Sequence, residues 1–324
     1  MPDVICLGEA LIDFIPFESG CSLEEVTAFR KAPGGAPANV AAGLSKLGNP
    51  SAFLGKVGDD PFGHFLANTF ERNGVDVSHM LFDRSALTGL AFVSLSAAGV
   101  PEFMFYRNPS ADMLLRPDEI RPEFIRSARA FHYGSITLIS EPSKSATETA
   151  ANLAREAGLL ISYDPNLRKP LWPSLDHARE QMLAAMAWPQ FVKMSEEELE
   201  FLSGAADLAE GSGRLMEAYP NIRLMAVTCG ADGCYFRSAR AEGRIPSFRV
   251  EVVDTTGAGD GFVAGTLSGL LGRISRPEEI SDLGADDLRE VFRFANAVAA
   301  LTTTKPGAIT AIPGREDVEG LLQA

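Results

Sequence analysis

The sequence predicts an α/β protein with a mainly parallel, doubly wound sheet, helices on both of its faces and a small β-sheet lid. Short apolar runs alternate with longer segments of helical periodicity along most of the 324 residues, which is the pattern of repeated strand and helix units. Several helical segments open with proline, as helix starts often do. No repeat or linker divides the chain, so we expect residues 1–324 to form one domain.

Short apolar runs predict the strands of the main sheet. These are Val4–Leu7, Ala52–Val57, Ala130–Tyr133, Leu160–Asp164, Phe191–Met194 and Leu224–Thr228. Periodic apolar positions between them predict helices. These are Pro37–Leu47, Pro61–Asn73, Pro142–Ala157, Leu175–Met186, Glu196–Leu202, Ala258–Leu271 and Leu288–Thr304. A further strand-like run, Phe248–Val253, ends at Asp254.

Two segments without helical periodicity predict the lid. In Phe14–Phe29 and Ala91–Tyr106, β-forming residues alternate with polar ones. The second segment predicts a hairpin that turns at Ala98-Gly99. We therefore expect the lid as an insertion from about residues 14–36 and 83–110, placed to cover a cleft.

Composition and charge exclude some classes of partner and site. The formal charge of −14 argues against nucleic acid, because binding a phosphate backbone needs a dense basic surface. Helix N-termini can still bind phosphate in an acidic protein. The chain opens without a basic or long apolar segment, so we expect a cytoplasmic location and no membrane partner. The thiols of Cys6, Cys21, Cys229 and Cys234 lack metal or disulfide spacing and are expected to be reduced.

A glycine turn at a helix start predicts a phosphate site. Asp254-Thr-Thr-Gly-Ala-Gly-Asp260 leads into a helix of small residues. The N–H groups of Gly257, Ala258 and Gly259 would face an anion and the charge that grows during phosphoryl transfer. A carboxylate beside an anion is badly placed unless it accepts the proton of the acceptor hydroxyl, so we predict Asp260 to be the catalytic base.

Alternatives to this interpretation remain open. The turn is also typical of a purely structural turn, with Asp260 complementing the helix dipole. No Gly-x4-Gly-Lys-Ser/Thr motif is present, which excludes a P-loop. Phe262 stands where a dinucleotide fingerprint requires its third glycine, which disfavours a dinucleotide oxidoreductase.

Polar residues near the N-terminus predict a polyol site. Asp13 comes just after the first strand and can accept from two hydroxyls. The glycines Gly34 and Gly35 let the backbone approach a ligand, and Asn39 offers a donor and an acceptor from the start of a helix. A capping acid and an ordinary turn are the structural alternatives.

Two arginines are candidates for contact with a ligand. Arg168 closes Asp164-Pro-Asn-Leu-Arg168 after a predicted strand and would neutralise a moving phosphoryl group. Arg107, after the hairpin, is either a second such group or an exposed charge at the end of a strand.

These motifs together resemble the ribokinase-like carbohydrate kinases of the PfkB class, over nearly the whole chain. Gly34-Gly35 with Asn39 matches the family's N-terminal glycine signature, and Asp254-Thr-Thr-Gly-Ala-Gly-Asp260 matches its C-terminal signature. Within the class the chain is most similar to the fructokinases. The segments that carry this similarity are Gly8-Glu-Ala-Leu-Ile-Asp-Phe-Ile-Pro16, Tyr106-Arg-Asn-Pro-Ser-Ala-Asp-Met-Leu-Leu115, His132-Tyr-Gly-Ser135 and Asp164-Pro-Asn-Leu-Arg168.

The resemblance implies a role for each matching residue. Asp260 would be the base, and the turn from Gly257 to Gly259 would be the anion hole, with Arg168 serving the phosphoryl group. The sugar contacts would be Asp13, Gly34, Gly35, Asn39 and Asn166, with Phe105, Tyr106 and Arg107 reaching the sugar from the lid. The nucleotide pocket would be lined by Lys193, Thr228, Gly230, Gly233 and Asn296.

The resemblance also implies ATP with Mg²⁺ as the phosphate donor. The family's Asn-x-x-Glu motif, linked to magnesium, appears here as Ser195-Glu-Glu-Glu198. Only Glu198 carries over, so its role toward Mg²⁺ would be indirect. Family members often bind K⁺ through backbone oxygens near the anion hole, which here would involve Asp254, Thr256 and Gly307.

The expected activity is ATP-dependent phosphorylation of a sugar hydroxyl, with D-fructose and D-fructose 6-phosphate as the favoured substrate and product. A kinase for 2-keto-3-deoxygluconate or ribose is the alternative within the family. A non-catalytic nucleotide-binding regulatory protein is the alternative from another class, and the intact Asp260 speaks against it. An exposed strand edge on the lid makes a homodimer a further expectation.

Overall fold

The computed structural model of the protein describes residues 1–18, 20, 22–95 and 101–323. The strands are β1 (Val4–Leu7), β2 (Leu11–Pro16), β3 (Phe29–Gly34), β4 (Ser51–Gly58), β5 (Val75–Asp76), β6 (Met80–Asp83), β7 (Gly89–Leu95), β8 (Pro101–Tyr106), β9 (Ala130–Gly134), β10 (Leu160–Asp164), β11 (Phe191–Ser195), β12 (Leu224–Thr228), β13 (Cys234–Ser238) and β14 (Glu242–Ile245). The helices are α1 (Ala36–Lys46), α2 (Pro61–Arg72), α3 (Pro122–Ile125), α4 (Ser143–Glu156), α5 (Leu175–Ala184), α6 (Glu196–Ser203), α7 (Leu208–Ala218), α8 (Ala258–Leu271), α9 (Ala285–Thr302) and α10 (Arg315–Gln323).

The main sheet has the strand order β14-β13-β12-β11-β10-β9-β1-β4-β5, with β6 also paired to β4. All pairings from β12 to β5 are parallel, whereas β13 and β14 add antiparallel strands at one edge. Alternate residues of β1 enter opposite hydrophobic clusters, Val4 and Cys6 in one and Ile5 and Leu7 in the other. A sheet buried on both faces is the doubly wound arrangement that the sequence predicted.

Each predicted helix is present, with its ends within about one helical turn of the prediction. The predicted strands of the main sheet are also present. The antiparallel strands β13 and β14, the short strands β5 and β6 and the helices α3, α7 and α10 were not predicted from the sequence.

The predicted strand at Phe248–Val253 is wrong. The described chain has no strand there, and the N–H groups of Val253 and Asp254 both donate to the carbonyl of Thr303. Val252 and Val253 are each 59% exposed. A run with β propensity forms a strand only where a neighbouring strand pairs with it, and here the chain has already left the sheet after β14.

The lid is a separate sheet with the order β3-β2-β7-β8. Strand β2 is antiparallel to β3 and parallel to β7. The segment predicted as β from Phe14 to Phe29 is instead the end of β2, the start of β3 and a connection in which the described residues form no strand. The predicted hairpin turn at Ala98-Gly99 lies outside the described residues.

Aromatic rings fix one face of the lid against the main domain. Phe14 stacks on Phe92 with ring centroids 4.8 Å apart, and it meets the ring of Phe62 in α2 edge-on at 5.9 Å. Phe29 contacts both lid rings edge-on. Since successive residues of a strand point to opposite faces, Asp13 lies on the other face of the lid from Phe14.

Two expectations from composition can be compared with the structure. Cys6, Cys229 and Cys234 are buried free thiols, as predicted, and Cys21 lies outside the described residues. Within the described ranges, no helix has the length and apolar character needed to cross a membrane.

Candidate active site

The N-terminal turns of two helices meet at a buried carboxylate. Asp260 lies in the first turn of α8 and is 9% exposed. Its Oδ2 accepts a hydrogen bond of 2.7 Å from Nδ2 of Asn39, which lies near the start of α1. Asp13 is close enough for its charge and that of Asp260 to repel each other. The fold therefore joins the two separate sites that the sequence predicted into one.

Burial controls the ionisation of both carboxylates. It raises the pKa of Asp13 to about 7, and the negative charge of Asp260 acts in the same direction. It raises the pKa of Asp260 to about 6, against the hydrogen bond from Asn39. The positive charge of Arg168 lowers the pKa of both groups. Asp260 is therefore mainly ionised at neutral pH, as a base must be.

The glycine turn before α8 is packed tightly against the C-terminal part of the chain. Gly257 has φ of 78°, and a Cβ there would lie 2.6 Å from Cβ of Ala308. The carboxylate of Asp254 accepts from N and Oγ1 of Thr256, and from N of Gly307 at 2.8 Å. These contacts fix the turn in front of α8.

The predicted set of free amides needs one correction. The N–H of Ala258 donates to the carbonyl of Thr255 at 3.2 Å, so it closes the turn and does not face a ligand. Among the described residues, the amides of Gly257, Gly259 and Asp260 have no hydrogen-bond partner. These three N–H groups point out of a helix N-terminus, which is a favourable site for phosphate.

The N-terminal glycines make room for the carboxylates. A Cβ on Gly34 would lie 2.3 Å from Oδ2 of Asp13, and a Cβ on Gly35 would lie 2.3 Å from the carbonyl of Glu9. Gly35 also has φ of 113°, which favours glycine. Within the described part of the chain, Oδ1 of Asn39 is buried without a hydrogen-bond partner. It is therefore an acceptor left open for a ligand.

The loop after β10 carries the predicted Arg168. Asn166 has φ of 42°, and its N–H donates to Oδ1 of Asp164 at 3.1 Å. The N–H of Leu167 donates to Oε1 of Glu198 at 2.7 Å. Arg168 is exposed at this point, and its charge acts on Asp13 and Asp260. The structure thus brings Arg168 to the site through backbone contacts made by its neighbours.

Both carboxylate oxygens of Glu198 accept hydrogen bonds from backbone N–H groups. Its Oε2 accepts from N of Ser195 in the capping box of α6, and its Oε1 binds Leu167. Across the described ranges, no group of three or more His, Cys, Asp or Glu side chains is arranged to hold a metal ion. Glu198 thus supports the backbone of the loop that carries Arg168, and its indirect role toward Mg²⁺ stays a prediction.

Lys193 lies against the glycine turn. Its Nζ donates to Oδ2 of Asp164 at 3.0 Å and lies 3.1 Å from the position that a Cβ of Gly259 would take. Burial acts to lower the pKa of Lys193, but the carboxylates of Asp164 and Glu198 raise it overall. The residue predicted to line a nucleotide pocket is thus a buried cation at the phosphate end of the site.

The other residues predicted for the nucleotide pocket lie farther along the sheet. Thr228 ends β12, and its Oγ1 donates to the carbonyl of Met194 at 3.4 Å. Gly230 and Gly233 form the turn before β13 with φ of 55° and 95°. The side-chain amide of Asn296 donates to two backbone carbonyls, those of Ile245 and Pro246. Its N–H groups are therefore engaged by the protein.

The lid residues divide between the two faces of their sheet. Asp13 pairs with Ala91, which pairs with Phe105, so Phe105 shares the face of Asp13. Tyr106 is 58% exposed, and its ring meets Phe92 on the opposite face. Strand alternation turns Tyr106 away from Asp13 in this arrangement, so its sugar contact stays a prediction that the geometry does not support.

Arg107 forms a buried ion pair at the base of the lid. It is 6% exposed, so the expectation of an exposed charge is wrong. Its Nε donates to Oδ2 of Asp112 at 2.9 Å, and its charge lowers the pKa of Glu9, which burial raises to about 7. The guanidinium therefore fixes the base of the lid, and a sugar contact remains only a prediction.

A model of the pfkB family carbohydrate kinases matches residues 1–315 of the chain. The chain belongs to this family. A similar curated relative is the "Probable fructokinase-2" of Arabidopsis thaliana, 52% identical over 96% of this chain and 92% of the relative. A fructokinase with bound ATP from Xylella fastidiosa has a TM-score of 0.91 at 34% identity, covering 100% of this chain and 99% of that one. A fructokinase from Vibrio cholerae O395, described in a form with fructose, ADP and calcium ion bound, has a TM-score of 0.86 at 34% identity over 99% of both chains.

Membership of the pfkB family confirms the resemblance that the sequence suggested, including the sugar kinase class. Sequence reasoning nevertheless gave no role to the buried acids Glu9 and Asp112 of this kinase, and it assigned Asp164 no partner. Each lies in a segment that carries the fructokinase similarity, which was the available signal. Their partners, the N–H of Ala36, Arg107 and Lys193, became visible only in the fold.

Replacing Gly257 with alanine should damage the anion site of this pfkB kinase. The new Cβ would clash with Ala308, and the positive φ of this residue would strain the alanine backbone. We therefore expect the free energy of unfolding to fall by about 1–3 kcal/mol and kcat to decrease. Gly158→Ala is a matched control, since Gly158 has φ of 70° but nothing lies within 4 Å of its added Cβ. Urea unfolding and turnover of both variants test this, and normal kcat in Gly257→Ala would contradict it.

Replacing Asp13 with asparagine should stabilise the ligand-free kinase while it abolishes activity. The pKa of Asp13 is raised in the folded state, to about 7, so its ionised form lowers stability at neutral pH, and protonation removes that loss as the pH falls. Asp13→Asn should raise Tm at pH 8, with a gain that shrinks toward pH ~5. Thermal melts across this range, with exposed Glu200→Gln as control, test it. A lower Tm at pH 8 in Asp13→Asn would refute it.

Proposed function

We propose that this protein transfers the γ-phosphoryl group of ATP to D-fructose and forms D-fructose 6-phosphate. The observation that carries the proposal is the meeting of Asp260, at a glycine turn with free amides, with Asn39 and Asp13 in one buried site. Membership of a carbohydrate kinase family supports the reaction class. The relatives described as fructokinases support the choice of sugar.

The sugar would lie between the lid and α1. Asp13 offers two carboxylate oxygens from the lid, and Asn39 offers an unpartnered Oδ1 from the helix. The backbone at Gly34 and Gly35 passes directly beside Asp13 and Glu9. Such convergent polar groups, with Phe105 on the same lid face, suit a molecule with several hydroxyls and an apolar edge.

The phosphate chain would lie at the glycine turn. The amides of Gly257, Gly259 and Asp260 would bind the transferred group, with the cations Lys193 and Arg168 on either side. We propose Mg²⁺ as the divalent ion that accompanies ATP, where it neutralises charge on the phosphates. The nucleoside would extend toward Thr228, Gly230, Gly233 and Asn296. Asn296 would contact it by packing, because its side-chain amide donates to backbone carbonyls of the protein.

Asp260 would act on the acceptor hydroxyl. Its Oδ2 binds Asn39, which leaves Oδ1 for the O–H group of the sugar. As the hydroxyl oxygen bonds to the γ-phosphorus and the bond to ADP breaks, the proton moves to this carboxylate. The turn amides and Arg168 would stabilise the charge of the transferred group.

Four further expectations are part of the proposal. The carboxylate of Asp254 fixes Thr256 and Gly307 beside the turn, so backbone oxygens of this segment would hold a K⁺ ion and stabilise the turn. The lid would close over both substrates and exclude water, and its edge strands β3 and β8 would pair in a homodimer. The cytoplasm remains the proposed location.

An acceptor panel tests the substrate. We expect ADP release from ATP to be fastest with fructose, compared with ribose, 2-keto-3-deoxygluconate, glucose and adenosine. A coupled assay of ADP with Mg²⁺ gives kcat/KM for each acceptor. Activity confined to another sugar would replace fructose but retain the kinase mechanism, and no activity on any acceptor would contradict the proposal.

Replacing Asp260 with asparagine tests the base. The amide cannot accept the hydroxyl proton, so kcat should fall by roughly 10²–10⁴ while ATP binding remains. Turnover and ATP affinity, measured by calorimetry on the same preparation, separate the two effects. Near-normal turnover in this variant would exclude Asp260 as the base.

A further inference from the structure

Helices α1 and α8 approach each other unusually closely one turn beyond the catalytic residues. A Cβ added to Gly43 would lie 2.8 Å from Cβ of Ala264, closer than real Cβ atoms come. The side chain of Ile312 lies behind Gly43, 3.5 Å from the same position. A residue larger than glycine at position 43 therefore has to push the two helices apart.

This close contact is aligned with the catalytic pair. Gly43 follows Asn39 by four residues in α1, and Ala264 follows Asp260 by four residues in α8. Residues four apart lie on one face of a helix. The contact of Gly43 with Ala264 therefore sets the separation of the two helices. At this separation Nδ2 of Asn39 lies 2.7 Å from Oδ2 of Asp260.

The orientation of the Asn39 amide follows from chemistry. A carboxylate oxygen can only accept, so the atom that faces Oδ2 of Asp260 is the NH₂ group of Asn39. Both residues are nearly inaccessible to water. A hydrogen bond to a buried carboxylate stabilises its ionised form.

We propose that Gly43 is a positioning residue of the catalytic base: the missing side chain lets α1 approach α8 closely enough for Asn39 to hydrogen-bond the carboxylate of Asp260. The inference rests on the proposed role of Asp260. Gly43 contacts no substrate and acts through Asn39, which lies one helical turn nearer to the site.

Other charged groups around Asp260 do not replace this hydrogen bond. Asp164 at the end of β10 raises the pKa of Asp260, whereas Lys193 from β11 and Arg168 from the loop after β10 lower it. Asp13 of the lid adds a further negative charge. Lys193 is bound to Asp164, and Arg168 is exposed. Asn39 is thus the group that contacts the base directly among the described residues.

The test is the pH dependence of kcat/KM for fructose in the full chain with ATP and Mg²⁺, since this ratio reports ionisations of the free enzyme. The wild type should lose activity as the pH falls through about 6 to 7, where Asp260 and Asp13 take up protons. In Gly43→Ala this acid limb of the profile should move upward by about one pH unit, the effect expected from losing a hydrogen bond to a carboxylate. At high pH most of kcat/KM should return, since the base is then ionised in both proteins.

The double variant Gly43→Ala/Ala264→Gly is the matched control, because it transfers the methyl group from one helix to the other and restores the space. Its acid limb should return to the wild-type position, and Gly269→Ala, elsewhere in α8, should not move it. Asn39→Ala should move the acid limb to higher pH without adding atoms between the two helices. It therefore tests the role of the hydrogen bond even if Gly43→Ala does not fold.

Two results would overturn the inference. One is an unmoved acid limb in folded Gly43→Ala or in Asn39→Ala, and the other is a double variant shifted as far as the single one. A wild type that phosphorylates no sugar, or full turnover in Asp260→Asn, would instead refute the proposed function, so the two failures are distinguishable.

Discussion

The hydrogen bond between Asn39 and Asp260 joins residues 221 positions apart, and the rest of the site is arranged around it. Each residue lies in the first turns of a helix that begins at a glycine with positive φ. The glycines before α1 admit the carboxylate of Asp13, and those before α8 expose amides to an anion. The hydrogen bond thus joins the N-terminus of α1, where the hydroxyl site is proposed, to the N-terminus of α8, where the phosphate site is proposed. The two sites therefore lie side by side.

Charge balance in this site depends on burial more than on ion pairs. The pKa values of Asp13 and Asp260 rise because water is excluded, while the cations that moderate them are either paired, as Lys193 is with Asp164, or exposed, as Arg168 is. A ligand-free site with buried acids is less stable than an apolar one would be. The bound substrates, which bring hydroxyl donors and metal-bound phosphates, would relieve that loss.

Much of this was predictable from the sequence. Apolar runs and helical periodicity located the parallel strands and the helices, because those signals are local. The signature motifs located Asp260, Asn39 and Asp13. The face of Tyr106, the ion pair of Arg107 and the amide of Ala258 were not predictable, since each depends on strand register or on a partner far along the chain. The strand predicted at Phe248–Val253 failed for the same reason: propensity does not supply a neighbouring strand.

Asp13 belongs to the lid and not to the main domain, since it lies within β2. The sugar would therefore be bound by one group that moves with the lid and by others, Asn39 and Asp260, that stay with the helices. Affinity for the sugar is then linked to the position of the lid, because opening the lid would remove Asp13 from the binding site. With the proposed closure, sugar binding would favour the closed lid, and any other contact that favours the closed lid would raise the affinity for sugar.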